Sequence, residues 1–251
     1  RSSDRLSNWI YKRANKIITH NKFSKEIFRA HYKKINAEID IIPHGNYVPF
    51  LKLKNDKTLS RNYLRIPQEK KVLLFFGMIK KVKGLEVLLQ AMKKVIANNS
   101  DVFLVIAGRV WENDFSIYQK IINDNNLSDY CLIHNKFIPH EDVDHYYASA
   151  DLVVLPYKRI YQSGVLMMSM SYEKAVIVSD LPPLIEVVED MKTGFVFESE
   201  NSESLSEKLN RILSDTNKLE EVRIEGSNHI KSKYDWLEIG KEMKKSYQSI
   251  L

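Results

Sequence analysis

The chain has 251 residues, 44% apolar and 28% charged, with a net charge of +6; it is long enough for one or two domains and too apolar for disorder. A single cysteine, Cys131, excludes an internal disulfide framework and a multi-cysteine metal site, and it points to a reducing compartment. No apolar stretch approaches the roughly 20 residues that span a bilayer, no signal peptide is recognisable, and the opening Arg1 reads as a processed product, a fragment or an engineered piece.

The first fifty residues hold ten Lys/Arg against four Asp/Glu, so the whole basic excess belongs to them. Such a segment is a solvated helix face, or it attracts phosphates or an anionic membrane surface. Within it, "SDRLSNWIYKRA" predicts a helix, "KIITH" a strand, "FSKEIFRAHYKK" a helix, and "IDIIPHGNY" a strand leading into a Pro-Gly break. This is a βαβ piece without a sheet of its own, as at the end of another α/β domain. Residues 51–70 read as a polar linker.

From residue 71 the pattern alternates. Continuous apolar runs predict strands at 71–77, 103–108, 131–137, 152–157, 175–180 and 194–198. Between them, helices are expected at 84–97, 114–125, 140–150, 164–173 and 183–190. Buried runs alternating with helices mark a doubly wound, Rossmann-like parallel sheet of about six strands, with ligands expected at the C-terminal edge of its strands. Two helices follow, at 202–215, with Ser204 and Glu207 as a start signal, and at 234–251, with a stripe of Trp236, Ile239, Met243 and Tyr247.

Three loops fall on that edge. "GMIKKVKG" (77–84) places Gly77 at a sharp turn and Lys80, Lys81 and Lys83 just before a helix, where free N–H groups also favour negative charge. "KRIYQSG" ends in Ser163 and Gly164 at the next helix start; Ser163 can cap that helix, while Gly164 and Val165 offer N–H groups to an oxyanion. "GRVWEND" (108–114) supplies Arg109 and Trp111 for a base or sugar. Alone, each loop is also consistent with ordinary solvated lysines or an ordinary serine cap. There is no G-x-x-x-x-G-K-[ST], G-x-G-x-x-G or G-x-S-x-G, and the histidines are scattered.

Taken together, "IIPHGNY", "LLFFGMIKKVKGLEVLLQAM", "FLVIAG", "FIPHEDVDHYYASADLVVLPY", "QSGVL", "AVIVSD" and "EVVEDMKTGFVF" resemble, in order and spacing, the C-terminal half of the family-4 (group 1) retaining glycosyltransferases of GT-B fold. The resemblance runs from about residue 40 to 200. It implies a C-terminal remnant of the acceptor-binding domain at 1–50, a linker at 51–70, a nucleotide-sugar donor-binding domain at 71–233, and a helix at 234–251 crossing back to the remnant. It also implies Lys83 and Lys80 as the catalytic cations that stabilise the leaving diphosphate. Donor contacts would come from Gly77, Lys80, Lys83, Arg109, Ile138, Gln162, Ser163, Gly164 and Val165. The family's usual arginine falls at Met78, and its two glutamates fall near Ile160 or Tyr161 and at Met168, so the chain departs from the pattern there.

The function implied is transfer of a hexosyl group, with retention, from a nucleoside-diphosphate sugar to a glycan or lipid-linked acceptor in bacterial polysaccharide biosynthesis. No metal, cofactor or nucleic acid is expected. The partner is the missing N-terminal acceptor domain, and the expected place is the cytoplasm, with room for peripheral membrane contact through a lipid-linked acceptor. Two other readings compete: a nucleotide-sugar epimerase of the same architecture, and a degenerate nucleotide-binding regulatory module.

Overall fold

The computed structural model describes residues 2–51, 56–111 and 114–250. Residues 52–55 of the expected linker, Glu112 and Asn113 of the third loop, and the two terminal residues lie outside the described residues.

The first part is a small βαβ unit. Helix α1 (Ser2–Tyr11) leads into β1 (Lys16–Thr19), and α2 (Lys22–His31) connects β1 to the parallel strand β2 (Glu38–Ile41). Where a linker was expected, α3 (Lys57–Leu64) forms instead. Asp56 caps α3 by accepting from Leu59 N–H at 2.7 Å, and Arg65 ends it in the left-handed region at φ 58°. Arg61 on this helix is only 2% exposed. Its guanidinium donates to Ser149 O, Gln68 O and Asp151 Oδ2 at 3.1, 2.5 and 2.8 Å, so the segment is fastened to the sheet.

The six expected strands are all present: β3 (Lys71–Phe76), β4 (Val102–Ala107), β5 (Cys131–His134), β6 (Leu152–Leu155), β7 (Ala175–Ser179) and β8 (Phe195–Phe197). They form one parallel sheet in the order β5-β4-β3-β6-β7-β8. Period-2 alternation divides their side chains between two cores. Leu73, Leu104, Val154 and Ile177 pack beneath α4 (Leu85–Asn98), α5 (Ser116–Asp124) and α9 (Ser202–Ser214). Leu74, Val105, Val153 and Val176 pack beneath α3, α6 (His140–Ser149), α7 (Gly164–Ser171) and α8 (Pro182–Ile185).

Three expectations change at the C-terminal end. Helix α8 is four residues long and does not extend through Asp190. Helix α9 starts one turn before the Ser204/Glu207 signal: Asn201 is the cap and accepts from Ser204 N–H at 3.0 Å. Between α9 and the last helix lies α10 (Thr216–Lys233), for which the sequence carried no predicted element. Helix α11 (Trp236–Gln248) then returns to the N-terminal unit. Trp236 Nε1 donates to Asn46 O at 2.7 Å, Lys16 Nζ donates to Ser249 Oγ at 2.6 Å, and Ile239 and Ser246 are buried. Tyr247, the last member of the expected stripe, is 59% exposed because Ser246 takes the inward position. Among the described residues, no helix is long and apolar enough to cross a membrane.

Candidate active site

The strand order places the topological switch between β3 and β6. From β3 the chain runs outward to β4 and β5, then crosses back to β6 on the other side of β3. Loops leaving neighbouring strands in opposite directions open a crevice at their C-terminal ends. The two loops bordering this crevice are 77–84 and 156–163, the pair singled out by their lysines and by Ser163-Gly164.

Backbone contacts lock them together. Lys158 N–H donates to Val82 O at 2.9 Å. Gly84, at φ +66°, lies so close to Pro156 that an added Cβ would stand 1.9 Å from its carbonyl oxygen, so the turn requires glycine. Gly77 lies against Val165 at the start of α7.

Lys83 occupies the short 3₁₀ turn Lys81–Lys83. Its ammonium sits 3.6 Å from the Tyr157 ring centroid. Burial, with repulsion from Lys80, lowers its pKa to about 8. Lys80 lies 4.8 Å from the Trp111 ring, while Lys81 is exposed. Lys158 is not a free cation: it pairs with Glu86 at 2.6 Å and Glu200 at 3.6 Å.

Ser163 caps α7, its Oγ accepting from Leu166 N–H at 3.1 Å. The N–H groups of Gly164 and Val165, in the first turn, have no intrahelical acceptor. Beside Ser163 the Tyr157 hydroxyl is fully buried. The two are near enough to interact, yet the hydroxyl finds no hydrogen bond of good geometry, and burial raises its pKa.

The expected donor contacts fall into two cavities flanking this corner. Gly77, Arg109 and Ile138, with Phe76, Trp111 and Phe137, line one of about 340 Å³ at the ends of β3, β4 and β5. Gln162 and Ser163 line the other, of about 300 Å³, facing His20, Asn21 and His44 of the N-terminal unit. Glu186, the carboxylate of this second cavity, accepts from Lys22 N–H and Phe23 N–H at 3.0 Å each and so caps α2 from across the cleft. Met168, where the family carries a glutamate, is half-buried, and Tyr161 is exposed.

Sequence reasoning missed Tyr157, Tyr47 and Glu186. All three lay inside quoted motifs, ending "VLPY" and "IPHGNY" and opening "EVVED". The signal for a role was there, but only the tertiary contacts reveal it.

The sequence model of the family described as glycosyl transferases group 1 matches residues 56–229, more than half of the chain. The chain belongs to this family. It is similar to the lipopolysaccharide 1,2-N-acetylglucosaminetransferase of Salmonella typhimurium, with 28% identity over 229 residues, covering 88% of this chain and 58% of that protein. It is also similar to the capsular polysaccharide biosynthesis glycosyltransferase CapM of Staphylococcus aureus, with 24% identity over 245 residues, covering 94% of this chain and 59% of that one. This group 1 chain therefore spans about three-fifths of the length of these relatives. Among solved structures, Anabaena Alr3699/HepE in complex with UDP-glucose superimposes with a TM-score of 0.84 at 17% identity, covering 99% of this chain and 68% of that one. The architecture is that of the GT-B glycosyltransferases.

Proposed function

We propose that this chain is the donor-binding half of a retaining hexosyltransferase. It would take a sugar from a nucleoside-diphosphate sugar and pass it to a glycan or lipid-linked acceptor in polysaccharide biosynthesis. The observation that carries this reading is the switch-point corner, where Lys83, Lys80 and the first turn of α7 converge between two cavities. Support comes from the group 1 relatives acting on lipopolysaccharide and capsule, and from the UDP-glucose held by HepE.

In this reading the nucleoside lies in the cavity of Gly77, Arg109 and Ile138, and the diphosphate lies across the corner. The sugar then faces the cavity of Gln162 and the N-terminal unit. Rupture of the glycosidic bond leaves charge on the diphosphate. Lys83, Lys80, the Ser163 hydroxyl and the Gly164 and Val165 N–H groups stabilise that charge without reorganising. The acceptor hydroxyl enters on the face from which the diphosphate leaves, bonds the anomeric carbon as the sugar–phosphate bond breaks and passes its proton to the departing phosphate oxygen, which gives retention, and no metal is required. An acceptor domain preceding residue 1 completes the cleft. The reaction belongs to the cytoplasm, at the inner membrane face when the acceptor is lipid-linked.

Calorimetric titration with UDP, GDP and ADP tests the reading. One of them should bind, and Lys83→Ala should weaken it about ten- to a hundredfold, the loss of one charge-assisted hydrogen bond. A folded parent that binds none of the three overturns the reading.

A further inference from the structure

Tyr47 belongs to the N-terminal side of the cleft, yet its hydroxyl reaches the corner described above. It lies 3.1 Å from the point where a Cβ on Gly164 would stand, against the first turn of α7. The rest of the residue is held. Its backbone N–H donates to Ser171 Oγ at 2.9 Å, and its ring stacks on His44 at 5.6 Å and 24°. The hydroxyl itself makes no hydrogen bond to another described residue. The Tyr47 O–H and the free N–H groups of the first turn of α7 lie on the same side of Gly164, so one bound acceptor oxygen could take hydrogen bonds from both. The Tyr157 hydroxyl, buried beside Ser163 and without a hydrogen bond of good geometry, leaves polar capacity next to the first turn of α7 incompletely used.

We propose that Tyr47 donates a hydrogen bond to the distal phosphate of the donor, closing the anion site from the N-terminal side of the cleft. This rests on the donor-site reading above. It gives the N-terminal unit a direct hold on the group whose departure the reaction requires. The hold is selective, since a ligand without the second phosphate does not reach α7.

The segment bearing Tyr47 is fastened from the far end of the chain. Asn46 N–H donates to Tyr234 O at 2.8 Å, Trp236 Nε1 donates to Asn46 O, and Gly45 is pressed against the Trp236 indole. The hydroxyl is therefore placed by α11 as well as by the loop that follows β2.

The substitution Tyr47→Phe removes the hydroxyl and keeps the stacked ring. UDP, GDP and ADP are titrated calorimetrically into parent and variant, each alongside its monophosphate, with thermal melting as the control for folding. The expected result is about a tenfold weaker diphosphate in Y47F and an unchanged monophosphate, the signature of one lost charge-assisted hydrogen bond to the second phosphate. An unchanged diphosphate, or an equal loss of both ligands in a variant that melts with the parent, overturns the proposal. So does a parent that does not distinguish diphosphate from monophosphate. A parent that binds the diphosphate while Y47F does not differ leaves the donor site standing and removes Tyr47 from it; a parent that binds neither removes both.

Discussion

The chain holds two parallel sheets that keep their shape by different means. In the six-stranded sheet, side chains such as Leu73, Leu74, Leu104, Val105, Val153 and Val176 are wholly buried on both faces. The two-stranded sheet has no such sandwich: β1 is half-buried along its length, and α2 buries none of its residues. A parallel pair with open faces lacks the burial that normally stabilises such strands. Beyond the buried Ile35, Ile39 and Ile42, its order comes from polar ties to the larger body: Glu186 on the first N–H groups of α2, Asn21 Nδ2 on Tyr161 O at 2.6 Å, and α11 on Lys16 and Asn46. A buried core is hard to loosen locally, whereas ties of about 1 kcal/mol each can be released one at a time.

The largest effect should come from striking the tie on which the large sheet itself depends. Arg61→Ala leaves Ser149 O and Gln68 O without their buried donor, while Asp151 keeps Lys57 at 2.5 Å, and should cost about 2–4 kcal/mol in urea unfolding. A loss near the roughly 0–1 kcal/mol of a surface pair would show that α3 is dispensable to the sheet.

A middle effect is set by Lys83. Its pKa is lowered from 10.5 to about 8 by burial, so the free protein loses this charge as pH rises through 8. Diphosphate affinity should be full below that pH and fall above it, and Lys83→Met should flatten the profile. For stability the sign is opposite. The folded state holds the proton less tightly than the unfolded chain, so stability should rise between about pH 8 and the ordinary lysine value. Lys174, also lowered to about 8 by burial, adds the same trend to parent and variant, so the difference between their curves isolates Lys83. Identical pH profiles for parent and Lys83→Met would remove Lys83 from the anion site.

The smallest effect sharpens the comparison. Glu186→Ala removes the acceptor that α2 receives from across the cleft and leaves its N-cap, Asn21, bonded to Ser24 N–H at 2.7 Å, a loss of about 0.5–1 kcal/mol. Amide exchange should quicken in Lys22–His31 and stay unchanged in β3 and β6. Equal acceleration in both sheets would mean that they open as one unit.

The large sheet was legible because strands buried on both faces are continuous apolar runs, and "KVLLFF" or "AVIVS" fits no exposed element. Helix α10 was not, because its buried positions are Val222, Gly226, Ser227 and Ile230, half of them small and polar or bare. Gly226 faces the Thr193 carbonyl, where an added Cβ would be 2.5 Å away, so tertiary contact selects a residue that local propensity disfavours. Helix α3 was hidden by its polar surface and by Arg61, a residue type expected outside. At the site, Gly77, Lys83 and Ser163 could be read from the turns they occupy. The pairing of Lys158 with Glu86, and the arrival of Tyr47 over α7, depend on chain crossings that no local pattern encodes.

The clamp on Asn46 has a consequence for the order in which the molecule is made. Trp236, which grips that carbonyl, is 190 positions later in the chain, and Tyr234 and Ile230 complete the grip from the same stretch. A ribosome delivers the N-terminal unit well before its fastening. Every strand of the six-stranded sheet is complete by Phe197 and free to assemble while α11 is still inside the exit tunnel. The segment carrying Tyr47 must wait until the stretch from Ile230 to Trp236 has emerged, so the two walls of the cleft acquire their final relationship only after the strands of the large sheet are complete.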